Sequence, residues 1–278
     1  MKVYWKRLKE YPSGVIALGI IISLYLMAFF APLIAPANPT AQNISQRLQP
    51  PSASHYFGTD ELGRDVFSRI IFGLQTSLLV ATTAVIITVS IGTIFGLISG
   101  YYGGLLDIII MRLVDVILSF PTFFLILLVI AFLEPGLNKV IIVIGLTSWP
   151  GLARIIRAET LSLKQREFVL ASRLLGQPDF LIIWRHILPN LIHLVLVSAV
   201  LNFGGAILTE AGLSFLGLGV QPPTPSWGNI LTAGKDYIHF AWWLVIFPGF
   251  ALLFLVLNFN LLAEALQRAF NPREVTQR

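Results

Sequence analysis

Between Arg154 and Asn190 lie six basic side chains (Arg154, Arg157, Lys164, Arg166, Arg173 and Arg185) and three acidic ones (Glu159, Glu167 and Asp179), a net charge of +3. Leu161, Leu163, Phe168, Leu170 and Leu174 recur among them at spacings that predict a helix with an apolar stripe. Gly176-Gln177-Pro178-Asp179 breaks it, since glycine supplies a left-handed helix end and proline disfavours helix at the residue before it. A second helix over Leu181 to Leu188 is expected to close at Pro189-Asn190. A charged helix-turn-helix of this kind suits docking to another protein rather than bond making. A second polar group, Asp60, Glu61, Arg64 and Asp65, lies in the stretch Phe57 to Arg69. Its mixed charges suit polar docking, and equally an internally paired helix start capped by Thr59 or Asp60. A third group, Asn202, Thr209, Glu210, Asn258 and Asn260, lies inside apolar runs. Polar groups there are costly in lipid and turn toward a cavity or a partner helix. Asn258 and Asn260 are about 200° apart on a helix, so at most one easily faces a lumen. Glu210 is near the end of its run, where it could reach water or cap a loop. For each of these a hydrogen bond between helices is the plainer role. Arg112 and Asp115, with Asp107 nearby, are spaced to pair along one helix.

Several chemistries lack their residues. There is no cysteine, hence no disulfide and no thiolate metal site. His55, His186, His193 and His239 share no His-x-x-His or carboxylate spacing, so no metal site is expected. No Gly-x-x-x-x-Gly-Lys-Ser/Thr run is present to cradle a nucleotide. An intramembrane hydrolase would use a serine beside glycine, as at Ser99-Gly100 or Gly212-Leu213-Ser214. No histidine stands at helical reach of them, and there is no paired aspartate motif. A secondary transporter would need mid-membrane carboxylates and internal repeats; neither is visible.

The elements that must position these groups are transmembrane helices. The sequence is 56% hydrophobic and 12% charged, about half the ordinary charged share, which predicts an all-α polytopic membrane protein. A pI near 9.6 would suggest nucleic acid for a soluble protein. In a membrane protein it reflects basic residues gathered on the cytoplasmic side, and no nucleic acid partner is expected. Lys2, Lys6, Arg7 and Lys9, with Tyr4 and Trp5, start the sequence as a lipid-interface anchor; the apolar run that follows is too long for a signal peptide. Six spans of ~20 residues or more follow, at about 15–34, 76–99, 105–133 (kinked near Pro121), 139–156, 191–213 and 240–262, the last led by the interfacial pair Trp242-Trp243. Gly100 to Gly104 and Glu134-Pro135-Gly136 are turns, and 212–228 is a Gly/Pro-rich segment containing Trp227. Residues 1–75 form the N-terminus, first span and outer loop; 76–278 form a core of five helices with the charged loop at about 159–190. With the N-terminus inside, 14 of the 19 Lys and Arg fall on the cytoplasmic side and 5 outside, which places both termini and the charged loop in the cytoplasm.

The charged loop resembles the coupling loop of ABC importer permeases, whose motif is Glu-Ala-Ala, three residues, Gly, nine residues, Ile, one residue, Leu-Pro. Ala171, Gly176, Leu188 and Pro189 match. Leu170, Ser172 and His186 depart from it at the Glu, second Ala and Ile positions, and the nearby glutamate is Glu167. Phe57-Gly58-Thr59-Asp60-Glu61-Leu62-Gly63-Arg64-Asp65 resembles the outer-loop signature of the shorter permease of the peptide/nickel branch. Glu210-Ala211-Gly212-Leu213-Ser214-Phe215-Leu216-Gly217-Leu218-Gly219, with Pro222-Pro223-Thr224-Pro225-Ser226-Trp227-Gly228, is similar to the same branch.

The resemblance implies a type I ABC importer permease fold and a non-catalytic transport subunit of the bacterial cytoplasmic membrane. It implies partners: a homologous second permease, two cytoplasmic ATPases that bind ATP and Mg, and an extracytoplasmic substrate-binding protein, all working around membrane lipid. Helix 167–176 would seat in an ATPase cleft, with Ala171 and Ser172 keeping the contact close. Arg166, Glu167 and Arg173 would form rim ion pairs, Gly176 would turn the chain, and Leu188-Pro189 would anchor the second helix to the fifth span. An amphipathic helix lying on lipid is the alternative. Asp60, Glu61, Arg64 and Asp65 would receive the binding protein. The implied cargo is a di- or oligopeptide, or else nickel or a metal chelate.

Overall fold

In lipid every backbone polar group must be satisfied within the chain, so apolar runs of this length become helices. The computed structural model describes residues 9–270, all of whose named elements are helical. Lys2, Tyr4, Trp5, Lys6, Arg7, Arg273 and Arg278 lie outside the described residues. Helix α1 is Pro12–Phe29, followed by a helical turn at Ala31–Ile34 and a loop to residue 65. Helix α2, Val66–Tyr102, has 37 residues and a length of about 55 Å, against about 30 Å of hydrocarbon. It is therefore longer than a crossing of the hydrocarbon needs. The helix begins ten residues before the expected Thr76, because Asp65 caps it by accepting from Ser68 N; a division at residue 75 falls inside it. Asp65, and neither Thr59 nor Asp60, is the N-cap.

Helices α3 (Gly104–Leu118) and α4 (Thr122–Ala131) meet at 87° across Ser119-Phe120-Pro121, the break expected at the proline. Helices α5 (Leu137–Ser148) and α6 (Pro150–Lys164) run on as one 28-residue span, with Pro150 at the first helical position where its missing N–H costs nothing. Helix α7 is Glu167–Leu174. A turn at Asp179–Ile182 and a π-turn at Ile183–Ile187 lead into α8, Leu188–Phe215. Helices α9 (Trp227–Lys235) and α10 (Trp243–Phe270) complete the described chain. Five of these helical runs are long and apolar enough to cross a membrane, and the α3–α4 pair, bent by 87°, brings the number to six if it is counted as one span.

Two expectations are corrected here. Pro189-Asn190 does not end a helix: the chain is helical from Asp179 to Phe215. The π-turn just upstream makes room for the proline ring, with Leu188 N donating to Ile183 O. Asn190 Nδ2 donates to His186 O at 2.6 Å. The 212–228 segment is also not all loop, for its last residues open α9 through a capping box of Ser226 and Asn229.

The bundle is organised around α2 and α6. Gly92, Gly96 and Gly100 form a stripe on α2 that admits the backbone of α6. A Cβ on Gly96 would lie 2.7 Å from both Ala153 O and Ile156 Cβ; one on Gly100 would lie 2.7 Å from Thr160 Cβ; one on Gly92 would lie 3.0 Å from Trp149 O. Small residues four apart are what close helix approach in lipid requires. Beside this seam α3 joins both helices: Arg157 Nε and Nη2 donate to the two carboxylate oxygens of Asp107 at 2.5 and 2.6 Å, Ser99 of α2 donates to the same carboxylate, and Arg154 Nη2 donates to Asp115 at 2.7 Å. The expected Arg112–Asp115 pair does not form. Asp107 and Asp115 are two turns apart and share the face of α3 toward α6, while Arg112 points elsewhere. Gly96→Ala should lower thermal stability by about 1–3 kcal/mol through overpacking. Gly19→Ala, whose Cβ meets nothing within 4 Å, should only gain helix propensity. Thermal unfolding of both variants in detergent checks the difference in sign.

Candidate functional site

At the Asp65 end of α2 the chain closes a knot of buried charge. Asp60 Oδ1 accepts from the backbone N–H of Leu62 and of Arg64, each at 2.9 Å, and Oδ2 accepts from Arg64 Nε at 2.6 Å. Arg69 Nε lies 3.3 Å from the same oxygen, and Arg64 Nη2 donates to Glu61 at 2.9 Å. Asp65 Oδ1 pairs with His55 Nδ1 at 3.0 Å. Two tryptophans latch the knot to the bundle: Trp243 Nε1 donates to Thr59 O at 3.1 Å and Trp227 Nε1 to Ile70 O at 3.0 Å. Trp243 is therefore a buried clamp and not an interfacial anchor. Gly58 and Gly63 have φ of +73° and +70°, and a Cβ on Gly63 would strike Asn43 O. Asp60, Arg64 and Asp65 are buried, so of the two readings of this group the internally paired one is formed, each charge neutralising another nearby. Glu61 alone of the four is partly exposed.

The intramembrane candidates separate. Asn202 and Thr209 line a cavity of about 420 Å³ between α2, the α3–α4 break, α5–α6 and α8, together with Thr88, Thr122, Thr147 and Ser148. Glu210 does not reach it. Its carboxylate is fully buried and accepts from Ser77 Oγ at 3.1 Å and Ser214 Oγ at 2.8 Å; Ser214 Oγ in turn accepts from Val220 N at 2.9 Å. Glu210 neither reaches water nor caps by itself: it holds α2, α8 and the returning loop together. Asn258 is buried, its Nδ2 donating to Phe254 O at 2.7 Å, while Asn260 is exposed on another face. The cavity threonines and serines carried no sequence signal, since such residues are common in apolar helices with a bond to their own backbone.

At the Tyr101 end of α2 sits the charged loop. Helix α7 ends in a Schellman motif: Gly176 (φ +76°) donates to Arg173 O and Gln177 N to Ser172 O. Arg166, Glu167, Leu170 and Ala171 are exposed, and Leu174 and Leu175 are 89% and 81% exposed. Neither Arg166 nor Glu167 forms an ion pair with another described residue. One expected docking residue, Ser172, faces the other way. Ser172 is buried, its Oγ 3.3 Å from His186 Nε2, which lies 3.1 Å from Gln177 Oε1. Arg173 stays half exposed, with Nη2 3.5 Å from Tyr101 Oη and 4.0 Å from Asp179. The reason for Ser172 is helical phase: Val169 and Ser172 share the face toward the bundle. Leu188 and Pro189 lie within the continuous helix into α8, half-buried and exposed respectively.

The described chain is thus a bundle of five membrane-length helical runs and one bent pair, around a largely apolar cavity dotted with hydroxyl and amide groups, with the short helix α7 between α6 and α8. The model of the binding-protein-dependent transport system inner membrane component matches residues 92–275, and that of the N-terminal TM domain of oligopeptide transport permease C matches residues 1–51. The chain belongs to this family of ABC importer permeases. The dipeptide transport system permease protein DppC of Alkalihalophilus pseudofirmus is 42% identical over 269 residues, covering 97% of this chain and 88% of the relative. The di/tripeptide transport system permease protein DppC of Pseudomonas aeruginosa is 38% identical over 279 residues, covering 98% and 92%. The inward-facing MetNI methionine ABC transporter superposes with a TM-score of 0.61 at 18% identity, covering 74% of this chain and 98% of that one, a likeness of fold.

Asp60→Ala would leave Arg64 and Arg69 buried without their shared carboxylate. It should cost about 3–5 kcal/mol, read as a large loss of detergent-stable protein in a thermal-aggregation assay.

Proposed function

We propose that this chain is one membrane half of a peptide importer. Di- or oligopeptides delivered by an extracytoplasmic binding protein pass into the cytoplasm between this chain and a homologous permease. Two ATPase subunits, binding ATP and Mg, drive the cycle, and this chain hydrolyses nothing. The observation that carries the cargo is relatedness: permeases named for dipeptide and di/tripeptide transport are about 40% identical over nearly the whole chain. Their names favour peptide over nickel. The cavity agrees, since its hydroxyl and amide groups suit a cargo made of amides and carry no charge to trap a zwitterion.

The membrane is the bacterial cytoplasmic one, with both termini inside, an orientation that the 14 to 5 charge division favours. That orientation puts α7 in the cytoplasm. Its exposed Leu170, Ala171 and Leu174, with Leu175 just beyond, form an apolar surface that supports a protein contact there. Arg166 and Glu167 at its rim would fix register with an ATPase more than affinity. The Asp65 end is then extracytoplasmic, where Glu61 offers the binding protein its charge.

Ala171→Trp should cut the ATPase recovered with the purified permease pair at least tenfold while the pair still assembles. Undiminished recovery and uptake would overturn the coupling assignment. For the cargo, uptake of a labelled dipeptide by the reconstituted importer should be competed by unlabelled dipeptides and not by Ni²⁺.

A further inference from the structure

Helix α7 faces the bundle with three side chains. Ser172 Oγ donates to Phe168 O of its own helix and meets His186, within the same loop. Val169 packs in the apolar cluster that contains Leu97 and Tyr101 of α2. Arg173 Nη2 lies 3.5 Å from Tyr101 Oη, with its guanidinium 5.6 Å from the ring centroid. Among the described residues, every polar contact from α7 to α2 therefore meets at Tyr101. Other elements of the loop converge there too. Lys164, the last residue of α6, donates to Tyr101 O at 2.5 Å and sits 5.5 Å from the ring. Tyr101 Oη donates to Asp179 at the start of the run into α8, at 2.6 Å. The ring is 1% exposed, although the Arg173 and Asp179 side chains around it are half exposed.

We infer that Tyr101 is the joint that fixes the position of α7 against α2, and thereby passes the state of the docked ATPase to the opposite end of the bundle. The inference rests on α7 being the ATPase contact. Its physical basis is that α2 is one unbroken helix. Its C-terminal end is gripped by Lys164, a cation at a helix carbonyl end where the dipole favours it, and by the Arg173–Tyr101–Asp179 set. Its N-terminal end carries Asp65, Ile70 and Arg69, to which the buried knot, Trp227 and Asn229 are bonded. A displacement of α7 that keeps the Tyr101 contacts must carry α2, and α2 must carry the knot. Tyr101 is a positioning residue: it touches neither cargo nor nucleotide.

The test uses the complete reconstituted importer with its binding protein loaded from a casein peptide digest. The readout is the ratio of binding-protein-stimulated to unstimulated ATP hydrolysis, because coupling between two sites is a reciprocal quantity. Tyr101→Phe keeps the ring and both cation–ring contacts and removes only the hydroxyl. It should lower the ratio at least fivefold with the ATPase still co-purifying. Asp179→Ala should do the same, and the double variant should be no worse than either, since both remove one link. An unchanged ratio in Tyr101→Phe, or effects that multiply in the double variant, overturns the joint. A fall in melting temperature without a fall in the ratio also overturns it, leaving Tyr101 a packing residue. Ala171→Trp run alongside separates the two ideas. If it releases the ATPase while Tyr101→Phe does nothing, the docking assignment stands and the joint fails; if it releases nothing, the docking assignment itself fails.

Discussion

The close approach of α2 to α6 is the constraint on which the rest of the molecule depends. Lipid tails are as apolar as leucine, so two helices in a membrane gain little from hiding apolar surface and must gain from contact itself. Gly92, Gly96 and Gly100 supply it by removing the atoms that would hold the backbones apart. Once α6 lies in that groove, its next face is set, and Arg154 and Arg157 project toward α3 at the spacing of Asp115 and Asp107. The end of α6 is set as well, so Lys164 arrives at the carbonyl of Tyr101. A stripe without side chains thus fixes the partners of three charged residues.

The opposite end of α2 is held by a different principle. Asp60, Arg64 and Arg69 are buried and charged, an arrangement that contributes stability only because each ion has its counter-ion and the carboxylate also accepts backbone N–H groups. The arrangement is local in sequence, from Asp60 to Arg69, but its burial is not. It needs Trp243 from α10 and Trp227 from α9 to close over it. This explains why residues with the composition of a docking patch form a structural closure. Charge pattern shows which residues attract one another. Whether water reaches them depends on parts of the chain more than 150 residues away.

That distinction runs through what the sequence makes legible. The spans, the break at Pro121 and the turn at Gly176 are local consequences of apolar run length and of proline and glycine stereochemistry, and they are found where those residues stand. The glycine stripe of α2 was equally local and visible as three glycines four apart, but it lay inside a run already explained as a span. Helix phase relative to neighbours was not legible. Ser172 sits beside Ala171 in the motif yet turns inward, and Glu210 accepts from serines on its own helix and on α2 instead of facing the cavity. Asn202 and Thr209 do line the cavity, but the threonines beside them belong to helices whose packing no spacing rule supplies.

The π-turn before Pro189 shows how the same proline rule has two outcomes. Proline ends a helix when nothing absorbs its ring and its missing donor. Here Leu188 N reaches back five residues to Ile183 O, the wider turn accommodates the ring, and Asn190 supplies a side-chain donor to His186 O. The helix therefore passes from the charged loop into α8 without a hinge at that point. The sharp bend among the described helices is the 87° one between α3 and α4, and Leu118, Thr122 and Phe123 beside it line the cavity. Stiff helices thus join the two ends of the molecule, while the bend lies against the space between them.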